Sequence, residues 1–313
     1  MSERELYRKR LVSMADLTPA HITRILDTAR VMKGISERDV KKAPTLRGRT
    51  VINFFAEPST RTRTSFEIAG KRLSADVINI SAAGSSLSKG ESLKDMVGNL
   101  RAMNPDLLVV RHGASGAPEM ISRWVDCTVV NAGDGRHEHP TQCLLDLMTV
   151  REKKGTLEGL NVSIVGDIAN SRVARSNLIG MRAMGMKVTV CGPATLLPPR
   201  AGEMADRVTS RIEEAVEGAD VVMMLRIQTE RMEGANFPNI REYSRMYCLT
   251  AERMKRAARG ALVLHPGPVN LGVEIAPDVA EGPWSVILDQ VTYGVAVRMA
   301  ILYLLLGGGL PEQ

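Results

Sequence analysis

The sequence predicts an α/β protein built on parallel sheets in two halves, and three observations carry that reading. Short continuous apolar runs at 51–56, 106–110 and 219–225 have the length and composition of strands buried on both faces. Between them lie amphipathic stretches of helical period, the rhythm of βαβ units. That rhythm halts at the polar stretch 151–159 and restarts as from a new domain, and 313 residues are enough for two cores.

Residues 15–34 open with Asp16, Leu17 and Thr18 and carry Ile22, Ile25, Leu26 and Ala29 on one face, a capped amphipathic helix. A polar loop with Lys41, Lys42 and Pro44 leads to the strand at 51–56. Pro58 follows, then three hydroxyl residues interleaved with two arginines, then Phe66, Ala69 and Leu73 at helical spacing: strand, turn, helix start. The first N–H groups of a helix lack partners and its dipole favours negative charge. Ser59, Thr60, Arg61 and Thr62 therefore converge donors on one anion. The plainer reading is an N-cap serine followed by exposed arginines.

Residues 76–80 form a short strand, and 81–91 (SAAGSSLSKGE) have loop chemistry. This is either a flexible connection or a way to bring Ser85, Ser86 and Lys89 to a phosphate or carboxylate. A helix at 92–103 precedes the strand at 106–110, which ends in Arg111 and His112, where open α/β sheets place ligands. A helix at 118–124 and a strand at 128–131 run into GDGRHEHPTQ, and His139, Pro140, Thr141 and Gln142 begin the next helix. His137 and His139 are candidate metal ligands, but no third ligand stands near, and a loop histidine polarising a carbonyl is the favoured reading.

In the second half, a strand at 162–165, a turn at Gly166 and Asp167, a helix at 173–184 and a strand at 187–191 make a βαβ unit. Gly166 lacks the further glycines of G-x-G-x-x-G, so a dinucleotide site is not expected; Asn170, Ser171 and Arg172 stand there instead. The strand at 219–225 is capped by Arg226, a helix spans 243–258, and a strand at 261–264 closes in HPGPVN. Its two prolines fix 265–268 so that a backbone carbonyl can face a substrate N–H. A long apolar helix at 286–306, interrupted by Asp289 and Arg298, reads as a buried terminal helix rather than a membrane span.

Composition bounds the function. Apolar residues are 44% and charged residues 24%, a globular balance. The net charge of +6 comes from scattered arginines without aromatic platforms, which favours small anionic ligands over nucleic acid. Four widely spaced cysteines form no C-x-x-C pair, and the charged N-terminus has no apolar signal core, so a reducing, cytoplasmic setting is expected.

Five separated motifs, STRTRTSFE (59–67), SSLSKGE (85–91), VRH (110–112), HPTQCLLDL (139–147) and HPGPVN (265–270), in this order, resemble the aspartate/ornithine carbamoyltransferase family over nearly the whole chain. HPGP at 265–268 in place of His-Cys-Leu-Pro, with Arg226-x-Gln228, is similar to the aspartate-using branch. The resemblance implies two doubly wound domains: 1–142 plus 290–313 for carbamoyl phosphate and 143–289 for aspartate, the terminal helix returning to the first. It implies transfer of the carbamoyl group from carbamoyl phosphate to L-aspartate in pyrimidine biosynthesis, with ornithine as the alternative acceptor, and calls for no cofactor or metal. It implies that Ser59, Thr60, Arg61 and Thr62 hold the phosphate. Thr62, Arg111 and His139 would contact the carbonyl oxygen, and Gln142, Pro266 and Gly267 the carbamoyl amide. Arg172 and Arg226, both at predicted strand ends, would bind the aspartate carboxylates with Gln228 and Lys89. Ser85 and Lys89 would come from the neighbouring subunit of a homotrimer with shared sites, which regulatory chains or a dihydroorotase could join. One departure stands out: the family's Pro-Val-Asn-Arg-Gly has Leu271 at the arginine position, and altered loop contacts are expected there.

Overall fold

The structure, a computed structural model, describes residues 10–81, 92–227 and 239–307. The chain divides into two compact units, Met1–Leu145 with Thr292–Gln313, and Asp146–Val291.

The first unit contains β1 (Arg10–Leu11), α1 (Pro19–Ser36), β2 (Thr50–Phe55), α2 (Thr60–Arg72), β3 (Asp76–Ser81), α3 (Leu93–Ala102), β4 (Leu107–His112), α4 (Ala117–Ser122), β5 (Thr128–Asp134) and the start of α5 (Pro140–Lys154). Its sheet has the order β1-β5-β4-β2-β3, and every pairing is parallel. The strand order reverses between β2 and β4, so the loops leaving those strands diverge and open a crevice at their carboxyl ends. Val51, Ile52, Phe54 and Phe55 on β2 and Leu107, Leu108, Val109 and Val110 on β4 are all buried, as the continuous apolar runs require. Ile52, Phe54, Leu108, Val110 and Val129 share one core with Met96, Val97 and Leu100 of α3 and Ile121 of α4. Each such side chain contributes roughly 1.5–3 kcal/mol by leaving water.

The second unit contains β6 (Asn161–Val165), α6 (Arg172–Ala183), β7 (Lys187–Cys191), β8 (Arg207–Thr209), α7 (Ile212–Val216), β9 (Val221–Met224), α8 (Ile240–Tyr247) and β10 (Leu262–Leu264). Its parallel sheet runs β10-β9-β6-β7-β8, with the reversal between β6 and β9. Val165, Val222, Met224 and Val263 pack with Tyr243 and Tyr247 of α8, whose rings stack at 5.2 Å.

The final helix, α9 (Ile287–Leu305), is long and apolar enough by length and composition to cross a membrane, yet 56% of that window is buried inside the protein. It returns to the first unit. Arg298 is buried there, donating from Nη1 to Ser65 Oγ at 2.9 Å, with its guanidinium 5.2 Å from the centroid of Phe66. Ser36 on α1 meets Met299.

Several elements differ from the sequence expectation. α1 starts at Pro19 because Thr18 caps it: its hydroxyl accepts from His21 N–H at 3.2 Å, and His21 Nδ1 accepts from Thr18 N–H at 3.2 Å. Arg111 and His112 belong to β4, since Arg111 stays in register with Phe55 and His112 with Asp134 beyond a bulge. α5 continues through part of the polar stretch to Lys154, its last turn carrying Arg151, Lys153 and Lys154, which suit the negative end of the helix dipole. The helix expected at 243–258 breaks at Cys248, which is extended at φ −64 and ψ 124, and Thr250 caps a separate turn, Ala251–Met254.

Candidate active site

In the first unit, the loops beyond β2, β4 and β5 carry the sequence-assigned residues. Ser59 is the N-cap of α2, extended at φ −162 and ψ 94, and its side chain makes no capping hydrogen bond. The hydroxyl and the first N–H groups of α2 are thus not spent on each other. Thr62 is buried, Ser59 half-buried, and Thr60 and Arg61 are exposed. Across the switch point, Ala56 N–H donates to Arg111 O at 2.8 Å, which ties the end of β2 to the end of β4.

Arg111 is buried and oriented from both sides. Nη1 donates to Ala132 O at 3.1 Å, and Nη2 donates to Glu57 Oε1 at 3.0 Å. His112, next along the strand, has its imidazole held below the usual histidine range by burial, despite the nearby Glu57 and Asp134 charges.

The segment from β5 to α5 delivers His139 and Gln142, both buried. Thr141 Oγ1 lies 3.5 Å from His139 Nδ1, and Gln142 N–H donates to His139 O at 2.9 Å. Asp134 braces this segment: Oδ1 accepts from Asn131 Nδ2 at 2.8 Å and Glu138 N–H at 3.0 Å, while Oδ2 accepts from Gly116 N–H at 2.6 Å. Glu138 in turn accepts from Ser13 Oγ and from Met14 N–H at 2.9 Å. His137 Nδ1 lies 3.0 Å from Asp134 Oδ2, and among the described residues no three His, Cys, Asp or Glu side chains cluster as metal ligands.

In the second unit the corresponding place is the pair β6 and β9. Gly166, at φ +131, follows β6, and a Cβ there would meet Leu225 O at 2.8 Å, so only glycine lets the two strand ends approach this closely. Leu225 N–H donates to Val165 O at 2.8 Å. Arg172 is not at a strand end as expected: it is the buried first residue of α6, behind the N-cap Ser171, whose hydroxyl accepts from Ala174 N–H at 3.1 Å. Arg226 is half-buried, just past β9.

Pro266 and Gly267 are half-buried beyond β10, the Gly267–Pro268 peptide is cis, and the preceding His265 is buried. Leu271 faces solvent at 52% exposure and bridges in backbone to Ile275. Ser85, Lys89 and Gln228 lie outside the described residues.

The donors of the site are evident in the sequence; the acids that aim them are not. Glu57 stands beside Pro58, just before the STRTRTSFE motif, and Asp134 and Glu138 stand in GDGRHEH. Their signal was position, next to strand ends, where a carboxylate orients a guanidinium or a loop.

The family described as aspartate/ornithine carbamoyltransferase, carbamoyl-P binding domain, matches residues 9–152, and its Asp/Orn binding domain matches residues 158–305. The chain belongs to the aspartate/ornithine carbamoyltransferase family. Among carbamoyltransferase relatives, the aspartate carbamoyltransferase catalytic subunit of Syntrophus aciditrophicus is 61% identical over 96% of this chain and 98% of its own length. That of Syntrophotalea carbinolica is 58% identical over 96% of each. Of solved carbamoyltransferases, aspartate transcarbamoylase from Trypanosoma cruzi in complex with carbamoyl phosphate and aspartate aligns with TM-score 0.87 at 29% identity, covering 96% of this chain and 97% of that one. Ornithine carbamoyltransferase from Pyrococcus furiosus aligns with TM-score 0.84 at 28% identity, covering 96% and 97%.

Proposed function

We infer that this chain catalyses transfer of the carbamoyl group from carbamoyl phosphate to L-aspartate, giving N-carbamoyl-L-aspartate and phosphate in pyrimidine biosynthesis. The observation that carries the reading is the conjunction of an α2 N-terminus whose Ser59 makes no side-chain capping hydrogen bond with the doubly oriented Arg111 across one switch point. That is a place for a phosphorylated carbonyl compound. Relatives named aspartate carbamoyltransferase, at 54–61% identity, fix the acceptor.

In the reaction the α-amine of aspartate attacks the carbamoyl carbon, a tetrahedral oxyanion forms, the C–O bond to phosphate breaks, and the amine proton leaves with the phosphate. Ser59, Thr60, Arg61 and Thr62 hold the phosphoryl oxygens through the hydroxyls, the guanidinium and the α2 N-terminus. Thr62, Arg111 and His139 donate to the carbonyl oxygen as charge builds on it, which is the rate-giving electrostatic contribution. Gln142 and the Pro266–Gly267 backbone fix the carbamoyl amide. Arg172, Arg226 and Gln228 hold the two aspartate carboxylates, a dicarboxylate calling for paired guanidinium groups. The leaving group is already activated, so positioning supplies the rest.

Ser85 and Lys89 act from the neighbouring subunit of a homotrimer, and regulatory chains or a dihydroorotase are further candidate partners. The free cysteines suit a reducing cytoplasm. The first half, residues 1–142 with 290–313, takes carbamoyl phosphate and 143–289 takes aspartate.

The test is product analysis with carbamoyl phosphate and either L-aspartate or L-ornithine. N-carbamoyl-L-aspartate is expected, and turnover with ornithine alone overturns the reading. For shared sites, reassembling Lys89→Ala with Arg61→Ala subunits should restore part of the activity, and no rescue counts against them.

A further inference from the structure

A histidine–glutamate pair wholly shielded from solvent adjoins Pro266 and Gly267. Gly267 N–H donates to His265 Nδ1 at 2.8 Å. A ring nitrogen that accepts carries no proton, so the proton of the neutral ring is on Nε2, which lies 3.1 Å from Glu274 Oε1. The loop's own backbone thus sets the tautomer that binds the glutamate. The same Glu274 oxygen accepts Asn270 N–H at 2.6 Å, so one carboxylate fastens both ends of the segment 265–270.

From the other side, His265 N–H donates to Gln290 Oε1 at 2.9 Å, and Gln290 Nε2 donates to Asp146 Oδ1 at 2.7 Å. Asn177 Nδ2 donates to Asp146 Oδ2 at 2.8 Å. The segment is therefore anchored through side chains to α5, α6 and α9.

As structure alone the arrangement is costly. Glu274 is buried, and its Oε2 has no hydrogen-bond partner among the described residues. Burying a carboxylate costs desolvation, and an oxygen left without a partner recovers none of it. What the carboxylate supplies is a single acceptor that gathers His265 and Asn270 at once.

We propose that Glu274 and His265 are positioning residues for carbamoyl transfer, holding the segment 265–270 so that the Pro266 carbonyl and the Gly267 backbone meet the carbamoyl amide. This rests on the reading of the chain as an aspartate carbamoyltransferase. The role is hydrogen-bond acceptance at one oxygen, so glutamine supplies it and leucine does not.

The test compares full-length wild type, Glu274→Leu, Glu274→Gln and His265→Asn by kcat, by KM for each substrate and by thermal midpoint. Glu274→Leu is expected to lower kcat about tenfold or more and raise the carbamoyl phosphate KM about threefold, with the aspartate KM within about twofold. Its thermal midpoint should fall, because the buried His265 Nε2–H and Asn270 N–H lose their acceptor, whereas Glu274→Gln should keep the midpoint near that of wild type and both constants within about threefold. Wild-type constants in Glu274→Leu, or equal losses in Glu274→Gln and Glu274→Leu, overturn the proposal. If Glu274→Leu does not fold, His265→Asn decides: it can still accept from Gly267 N–H but is too short for Glu274, and the same split between constants is expected. Wild-type constants there overturn the proposal. A wild-type protein inactive with L-aspartate sinks the functional reading itself, and the proposal with it.

Discussion

Arg111 and Glu57 form an ion pair at 3.0 Å, one near the end of strand β4 and the other just beyond β2. With Ala132 O at 3.1 Å on the far side, the guanidinium is aimed by its neighbours rather than by its own flexible stem. Glu57→Ala should therefore lower kcat/KM by about 10- to 30-fold, on the order of 1.4–2 kcal/mol, while Glu57→Gln stays within about threefold. Initial rates at varied carbamoyl phosphate check this; an unchanged Glu57→Ala enzyme means Arg111 needs no such aim.

Arg61 is exposed on the first turn of α2, where its charge adds to the helix dipole. Arg61→Ala should cost about 2–4 kcal/mol of transition-state stabilisation, roughly 30- to 1000-fold in kcat/KM. Because the residue is exposed, the thermal midpoint should hardly move. Near-normal turnover would remove Arg61 from the phosphate site.

His112 gives the stability a pH dependence of known sign. Burial lowers its folded pKa below the ordinary histidine value, so between the two the unfolded chain binds more protons. The stability it contributes is present above the unfolded pKa and is lost as pH falls through the folded one. The thermal midpoint should drop as pH falls below the ordinary histidine range, and the drop should be smaller in His112→Gln. Identical drops in the two proteins would exclude His112 as the cause.

Cys191 is buried on β7, and burial pushes its thiol up to about 12; the half-buried Cys127 is pushed up to about 11. Thiolate is the reactive form, so Cys191 should resist a disulfide reagent near pH 8 in the native protein and react once denaturant is added. Rapid native labelling at Cys191, located by peptide mapping, would contradict the burial that raises it.

The parts of the fold legible in the sequence were those with a strong periodic signal. Residues 51–56, 106–110 and 219–225 announced buried strands because both faces are largely apolar. β1 and β8, two and three residues long, carry too few positions to display any period, and α7 is barely longer. In the site, hydroxyls, guanidinium groups and helix starts were legible because their chemistry is unambiguous wherever they stand. Glu57, Asp134, Glu138 and Glu274 were not, since an acid reads as a surface residue until the fold reveals what it faces.

Arg298 and Met299, near the end of the chain, complete the packing of a unit begun by α1 and α2, and the Ser36–Met299 contact spans 263 positions. During synthesis the second unit, an uninterrupted segment, can assemble as soon as it leaves the ribosome, whereas the first must wait for the final helix to emerge. Translation therefore imposes an order in which the half made first is the half finished last, and cutting the chain at Thr292 would injure the amino-terminal half rather than the one beside the cut.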